Sequence, residues 1–414
     1  MWDDRGLVAT LEVQKSSRKL FLPALTTVHS HAFQRKMRGL AQRRGGDPTD
    51  DFWTWRGQMY EAARLLDPES IAAISRVAFA ELKSAGVHTV GEFHYVHHQP
   101  DGSPYEDRTI LADAVIAAAK AEGLRIALLR VAYHRAGPGK EAEPGQRRFS
   151  DPGVDRVLRD VDALRARYAN DRDVRIGLAP HSVRAVPPSW LAPLREYADA
   201  HRLPLHMHVA EQSREVEECV AETGRRPVEL LSDHGLLGPR FVAVHATHLA
   251  PHEARLLGEA GGFACICATT ERDLGDGLPD LTRLRSAGAR LCMGIDSHVI
   301  TDPFDDLRAL EIHERLRTET RVTFQGSART PAEQLWHEGS ALGAMACGFP
   351  DAGAHVALDL EHPSLRLVDD EHLLDAIVFS GGPSLVLGIE VHRGARSPDG
   401  SPNGATGPDN SPGR

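Results

Sequence analysis

The stretch LFLPALTTVHSHAF, residues 20–33, is an apolar run that ends in two histidines one residue apart. Side chains alternate between the two faces of a strand, so His29 and His31 are predicted to project together from a strand end. Two imidazoles placed in this way can bind one metal ion, and zinc accepts such nitrogen ligands. Taken alone, the pair could equally be two of the chain's 22 histidines that lie close by chance.

The composition describes a folded, acidic protein. Of 414 residues, 41% are hydrophobic, and the formal net charge is −10. The negative charge argues against a nucleic-acid or anionic-membrane partner, but a local arginine pocket could still bind a small anionic substrate. Five scattered cysteines give no disulfide framework, and no apolar run reaches the ~20 residues that span a bilayer. We therefore expect a cytoplasmic protein.

Apolar runs alternate with amphipathic helical stretches, which is the pattern of a parallel α/β fold. Asp67-Pro68 and Asp302-Pro303 are typical helix starts, and Gly123 is a typical helix stop. The predicted strands are Leu22–His31, His88–Tyr95, Arg125–His134, Val174–His181, Pro204–Glu211, Phe241–His248, Gly262–Glu271 and Leu291–His298. Eight strand–helix units predict a TIM-type (β/α)8 barrel, with its chemistry at the carboxyl ends of the strands.

The two ends of the chain are expected to build a small β-subdomain beside the barrel. Residues 1–22 and 340–393 would form it, and residues 23–339 would form the barrel. Short strand candidates are His355–Leu360 and Ala376–Ser380. The segment 394–414 is rich in Pro, Gly, Ser and Asn, which predicts a disordered tail.

Polar side chains stand at seven of the eight predicted strand ends, all except the third. In order they are His29 and His31, Tyr95, His181, His208 with Glu211, His245, Thr269-Thr270-Glu271, and Asp296. Carboxyl ends of parallel barrel strands meet at one mouth, so these side chains are expected to converge. Ordinary core strands would not end in this way.

The converging residues suit a hydrolytic metal centre. His208 is a natural third ligand. Asp296 is a fourth and could also accept a proton from the attacking water. His206 shares a strand face with His208, and spacing alone does not choose between these two histidines. Glu211 can take a proton from water and pass it to a leaving nitrogen. His245 is placed to stabilise the attacking water or the developing charge. Each residue alone could also be a hydrogen-bonded core residue or a helix cap.

The strand-end order HxH, His, His and Asp resembles the amidohydrolase superfamily. A glutamate three residues after the third histidine, without a lysine at the fourth strand end, resembles its mononuclear deaminase branch. Several segments resemble the formimidoylglutamate deiminases more closely: 29–35 (HSHAFQR), 55–56 (WR), 92–98 (EFHYVHH), 180–186 (PHSVRAV), 245–249 (HATHL), 269–271 (TTE) and 274–277 (LGDG). The likeness runs from about Leu22 to Gly343, and more weakly to Gly382.

The resemblance implies roles for individual positions. Zinc would be bound by His29, His31, His208 and Asp296, and iron or manganese would suit the same ligands. Glu211 would shuttle protons and His245 would assist the attacking water. The implied substrate contacts are Gln34, Arg56, Tyr95, His181 and Arg184. The implied activity is the hydrolysis of N-formimino-L-glutamate to N-formyl-L-glutamate and ammonia in histidine degradation, by a homodimer, with metal-bound hydroxide attacking the formimino carbon.

The implied substrate carries two carboxylates, which guanidinium groups bind through paired hydrogen bonds. Arg184, three residues after His181, and Arg56, on the loop after the first strand, are the candidates. One alternative is a related deaminase that acts on a purine, pyrimidine or triazine ring. Another is a barrel without catalysis that serves as a scaffold.

Overall fold

The computed structural model describes residues 14–15, 18–40, 42, 51–323 and 330–391. Its strands are β1 Gln14–Lys15, β2 Lys19–Pro23, β3 Leu25–Ser30, β4 Val87–His94, β5 Arg125–Ala132, β6 Arg135–Gly137, β7 Lys140–Glu141, β8 Val174–Pro180, β9 Leu205–Val209, β10 Phe241–His245, β11 Phe263–Ile266, β12 Arg290–Met293, β13 Ala354–Asp359 and β14 Val386–Val391. Its α-helices are α1 Phe52–Arg64, α2 Pro68–Ser84, α3 Ile110–Glu122, α4 Val154–Arg167, α5 Pro188–His201, α6 Ser213–Thr223, α7 Pro227–Asp233, α8 Pro251–Glu259, α9 Ala268–Leu274, α10 Leu281–Ser286, α11 Pro303–Thr318, α12 Pro331–His337, α13 Gly343–Ala346 and α14 Leu373–Ser380.

Eight parallel strands form the predicted barrel. Their order is β12-β11-β10-β9-β8-β5-β4-β3, which places the first and last strands side by side. A single bridge closes this seam, between Ser30 and Asp296. The His31 amide donates to the Asp296 carbonyl (2.9 Å), and the Asp296 amide donates to the His29 carbonyl (3.0 Å). The fold class predicted from the sequence is confirmed, and the same residues that close the barrel carry candidate ligands.

The barrel strands are short and buried on both faces. Every residue of β3, β4 and β5 is buried, as expected for a parallel sheet covered by helices. The predicted helix ends are also present. The Asp67 carboxylate accepts from the Ser70 amide (2.7 Å) with Pro68 in the first turn, and Gly123 ends α3 with φ +77°.

Some predicted boundaries were wrong. The first apolar run splits at Ala24 into β2 and β3, which belong to different sheets. Residues 269–271 lie on α9 instead of a strand end. Ala376–Ser380, predicted as a strand, lies on α14, where Ile377 and Val378 are buried and neighbouring side chains pack against α11 and α12. A short run of apolar residues does not distinguish a strand from a buried helix.

A four-stranded antiparallel sheet joins the two ends of the described chain, in the order β1-β2-β13-β14. Its strand β13 confirms the predicted strand His355–Leu360 to within a residue. The boundaries proposed for the two domains stay predictions, and residues 1–13 and the predicted tail 394–414 lie outside the described residues. Within the described chain, none of the helices combines the length and apolar character needed to cross a membrane.

Candidate active site

Three imidazoles and one carboxylate meet at the barrel mouth. His29 lies on β3 and His31 directly follows it, His208 lies on β9, and Asp296 follows β12. The Nε2 atom of His29 lies 3.1 Å from Nε2 of His31 and 3.1 Å from Nε2 of His208. Asp296 Oδ1 lies 3.4 Å from the Nε2 atoms of His29 and His31. The structure therefore brings together the four residues predicted as ligands.

These separations fit a single cation. Zinc binds imidazole nitrogen at about 2.0–2.1 Å, so ligand atoms at the corners of a tetrahedron would lie about 3.3 Å apart. Burial lowers the pKa of His29 and of His208, and lowers that of His31 to about 3. All three imidazoles are thus neutral and can offer a nitrogen lone pair. The donor set fits a divalent metal ion.

The structure also shows which of His206 and His208 faces the other candidate metal ligands. His206 Nε2 donates to the Ala346 carbonyl (3.0 Å), away from the cluster, whereas His208 Nε2 faces His29. Both histidines are buried. The two share a strand face, but only His208 is at the level of the mouth.

A second group of polar side chains, His245 with Glu211 and Glu271, lies next to Asp296. His245 Nε2 lies 3.7 Å from Glu211 Oε1 and 3.7 Å from Asp296 Oδ2, and its Nδ1 lies 3.3 Å from Glu271 Oε1. Burial opposes a charge on His245, but Glu211, Glu271 and Asp296 outweigh it and raise its pKa to about 10. Burial raises the pKa of Glu211. Glu211 can therefore exchange a proton more readily near neutral pH than an exposed glutamate.

Backbone strain concentrates at the same strand ends. Ala210, His245, Ala246, Asp296 and His298 all have positive φ, between +51° and +69°. Non-glycine residues adopt this conformation at a cost, and it collects where a site requires a particular side-chain direction. Here it turns the chain sharply after β9, β10 and β12, so that the side chains face inward.

Glu92, near the end of β4, forms hydrogen bonds with the residues that directly follow His29 and His31. It is buried, and its Oε2 accepts from the Ser30 hydroxyl (2.6 Å) while its Oε1 accepts from the Ala32 amide (2.8 Å). His31 Nδ1 donates to the Phe93 carbonyl (3.0 Å), which leaves its Nε2 for the cluster. No role was predicted for Glu92, although it lies in the segment 92–98, which resembles the formimidoylglutamate deiminases.

A cavity of about 490 Å³, including its opening, leads to the cluster. It is lined by His31, Gln34, Phe52, Trp55, Arg56, Met59, Tyr60, Tyr95, Tyr133, His181, Arg184, His208, Glu211, His245, Leu274 and Asp296. Every predicted site residue except His29, which lies behind His31 and His208, lines this one cavity.

The predicted substrate contacts Gln34, Tyr95 and His181 line the same cavity. The Gln34 amide donates to the Tyr95 hydroxyl (2.8 Å), and the Gln34 carbonyl oxygen is buried without a partner. The His181 ring packs against Tyr95 and Tyr133, with centroids 5.7 and 4.8 Å away. Tyr95 follows β4 directly, on a loop as predicted.

Arg56 and Arg184 line the cavity, and the carboxylates of Glu215 and Glu211 lie close enough to raise the pKa of Arg184 against the effect of burial. Within the described chain, Arg184 Nε and Nη1 and Arg56 Nη1 are buried and have no hydrogen-bond partner. Among the described residues, no carboxylate lies within ion-pair distance of either guanidinium. Arg56 lies on helix α1, which corrects the prediction of a loop after the first strand. Two unpaired guanidinium groups suit an anionic ligand.

Some residues that line the cavity were not predicted from the sequence. Tyr133 follows β5, the strand end predicted to contribute nothing, and its hydroxyl accepts from Gln146 (2.8 Å). Phe52, Met59 and Tyr60 come from α1. Their spacing with Arg56 follows a helical period, so recognising a helix at 52–64 would have indicated them.

Comparisons with known proteins agree with this geometry. Residues 20–355 match the amidohydrolase family model. The chain is 38% identical to formimidoylglutamate deiminase from Pseudomonas aeruginosa, over 89% of this chain and 83% of the relative. It is 31% identical to 8-oxoguanine deaminase from the same organism, over 69% of this chain and 62% of the relative.

A solved structure is similar as well. The amidohydrolase from Brucella melitensis superposes with a TM-score of 0.81 at 34% identity, over 90% of this chain and 86% of that chain. The family match covers most of the barrel and includes all the residues that line the cavity. On sequence and on structure, the chain belongs to the amidohydrolase family.

Proposed function

We propose that this protein is a zinc-dependent hydrolase that converts N-formimino-L-glutamate and water to N-formyl-L-glutamate and ammonia. One observation supports the proposal most directly: a single cavity is lined both by a histidine–carboxylate cluster and by two arginines, Arg56 and Arg184, that form no ion pair within the described chain. The substrate carries the matching groups, an amidine and two carboxylates. The P. aeruginosa relative named for this activity supports the assignment.

The proposed metal ligands are His29, His31, His208 and Asp296. Three imidazole nitrogens and a carboxylate oxygen suit zinc, and iron or manganese would suit the same set. When bound, the cation would lower the pKa of a water molecule to near 7 and so supply a nucleophile at neutral pH. Against the effect of burial, the surrounding histidines, among them the positively charged His245, hold the pKa of Asp296 below its usual range, so this carboxylate keeps its negative charge.

Glu211 is proposed to move the protons. It takes a proton as the water oxygen bonds to the formimino carbon, while the electron pair of the C=N bond moves to nitrogen. It then passes that proton to the same nitrogen, which becomes an amino group. As the C=O bond forms, Glu211 carries the second proton from the oxygen to this amino group, the C–N bond breaks and ammonia leaves. His245, next to Glu211 and Asp296, stabilises the negative charge that develops on the oxygen.

The other residues bind the substrate. Arg56 and Arg184 are proposed to hold the two carboxylates through paired hydrogen bonds. Gln34, Tyr95 and His181 line the same cavity, where they would orient the substrate. A fixed orientation places the formimino carbon against the nucleophile. The homodimer and the cytoplasmic location stay predictions.

The test is ammonia release by the metal-replete protein from formiminoglutamate, with 8-oxoguanine, guanine, cytosine and S-adenosylhomocysteine in parallel. We expect release from formiminoglutamate alone, because 8-oxoguanine, guanine and cytosine offer the two arginines no carboxylate and S-adenosylhomocysteine offers only one. Release from 8-oxoguanine instead would favour the second relative's activity. No release from any substrate, with zinc bound, would favour the scaffold alternative.

A further inference from the structure

Trp53, in the first turn of α1, lies beside three guanidinium groups. Its ring centroid is 4.5 Å from the guanidinium carbon of Arg56, 5.2 Å from that of Arg184 and 4.3 Å from that of Arg214. Arg56 shares its helix, Arg184 follows β8, and Arg214 begins α6. One indole ring therefore joins three elements that surround the cavity mouth.

The arrangement needs an attractive contact, because it gathers like charges. Arg56 and Arg184 have buried nitrogen atoms without hydrogen-bond partners, and they form no ion pair within the described chain. Arg214 differs, since its Nε donates to Glu218 (2.8 Å) and its side chain is half exposed. A guanidinium within about 6 Å of an indole centroid is attracted to the ring face, most strongly where water is excluded.

The ring acts on the cavity through the arginines. Arg56 and Arg184 line the cavity, whereas Trp53 and Arg214 do not. The backbone of Trp53 is held at the helix start, where the Asp51 carboxylate accepts from the amides of Trp53 (2.9 Å) and Thr54 (3.1 Å). The Trp53 ring therefore contacts the two guanidinium groups from outside the cavity lining.

We propose that Trp53 is a positioning residue that sets specificity for dicarboxylates. Its ring packs against Arg56 and Arg184 and directs their free N–H groups into the cavity, and Arg214 anchors the ring from α6. The inference rests on the proposed function for its substrate, but the binding of a dicarboxylate can be measured without any turnover.

The first experiment measures glutarate binding to the metal-replete protein by calorimetry. Trp53→Leu removes the aromatic face and keeps apolar bulk, whereas Trp53→Phe keeps an aromatic face. We expect the glutarate Kd to rise about tenfold in the leucine variant, and less than about threefold in the phenylalanine variant. An unchanged Kd in the leucine variant, or an equal loss in both variants, would overturn the proposal.

A second pair of variants leaves α1's first turn intact. Arg214→Ala removes the anchor, and Arg64→Ala removes a similarly exposed, similarly paired arginine at the other end of α1. We expect a glutarate Kd about threefold higher for Arg214→Ala and no change for Arg64→Ala. Equal effects of the two substitutions would contradict a specific role for the ring contact, even if Trp53 variants fold poorly.

Turnover separates positioning from a general structural effect. With formiminoglutamate, Trp53→Leu should raise KM about tenfold and leave kcat within about twofold. With formiminoglycine, which lacks the second carboxylate, kcat/KM should fall less. An equal loss of kcat/KM on both substrates would overturn the proposal. Wild-type protein that binds glutarate but releases no ammonia would contradict the proposed function, and the glutarate comparison would still decide the role of Trp53.

Discussion

At the residue scale, the candidate active site consists of a charged cluster and a set of side chains that line the cavity. His29 and His31 were predictable because strand parity puts residues two apart on one face. Glu92 and Tyr133 were not, because Glu92 acts through hydrogen bonds to Ser30 and Ala32, and Tyr133 faces inward from a strand end with no charged side chain. Ligand chemistry leaves a pattern in sequence, whereas support from neighbouring strands does not.

Glu211 gives the sharpest prediction at this scale. Glu211→Gln removes the proton carrier but none of the four proposed ligands, so turnover should fall by about 10²–10⁴ while metal content stays at one per chain. Steady-state ammonia release and metal analysis of the same preparation test this. Glu217→Gln, on exposed helix surface nearby, serves as the control and should keep full activity. Near-normal turnover in Glu211→Gln would remove Glu211 from the mechanism.

Among the elements, the seam between β3 and β12 has the closest link to the site. Only one bridge between Ser30 and Asp296 closes it, and a further hydrogen bond runs from the Ile295 amide to the Thr27 hydroxyl (2.8 Å). Two proposed ligands lie on one side of the seam and one on the other. A cation would therefore bind the two sides together.

Removing the metal should loosen this seam selectively. A ligand that binds only the closed form stabilises it by mass action, so a chelator should speed amide exchange at His31, Ile295 and Asp296. Amides between β5 and β8, on another part of the barrel, are the internal control. Hydrogen exchange with and without chelator measures the difference. Equal acceleration in both places would indicate a global effect, and no acceleration would contradict a metal across the seam.

Helix α1 is an example of an element that was not predicted from the sequence. The sequence shows arginine and aromatic residues after the first strand, but a loop and a helix carry them equally well. The helix is revealed by its Asp51 cap and by the common face of Phe52, Arg56, Met59 and Tyr60. The barrel strands were easier, because burial on both faces leaves continuous apolar runs.

At the scale of the whole molecule, the barrel was predictable from eight repeats of strand and helix, and the domain boundaries were not. The apolar run 20–28 serves two sheets, with β2 in the terminal sheet and β3 in the barrel. Nothing in its composition marks the change at Ala24. The short α14 was similarly ambiguous until its packing against α11 and α12 was known.

The buried histidines make the whole fold sensitive to acid. Burial lowers the pKa of His206 and of His94 to about 3, against 6.5 for an accessible histidine. Between these values the unfolded chain binds more protons than the folded one, so stability falls as pH falls below about 6.5. Each histidine contributes a slope of up to about 1.4 kcal/mol per pH unit, and its contribution is complete above that pH.

Urea unfolding of the chelated protein at pH 7.5, 6.5 and 5.5 measures this dependence. His206→Gln can still donate to the Ala346 carbonyl but cannot take up a proton. Its slope between pH 6.5 and 5.5 should be smaller by about 1 kcal/mol per pH unit. His201→Gln, at an exposed position, should leave the slope unchanged. A slope that His206→Gln does not alter would contradict the neutral, buried state of this histidine.

Anomalous diffraction at the zinc absorption edge, from crystals of the zinc-loaded protein, tests the metal centre most directly. The predicted result is one strong peak per chain, about 2.0–2.2 Å from the Nε2 atoms of His29, His31 and His208 and from an Asp296 oxygen. A peak elsewhere, or none at these four residues, would contradict the proposed hydrolytic site.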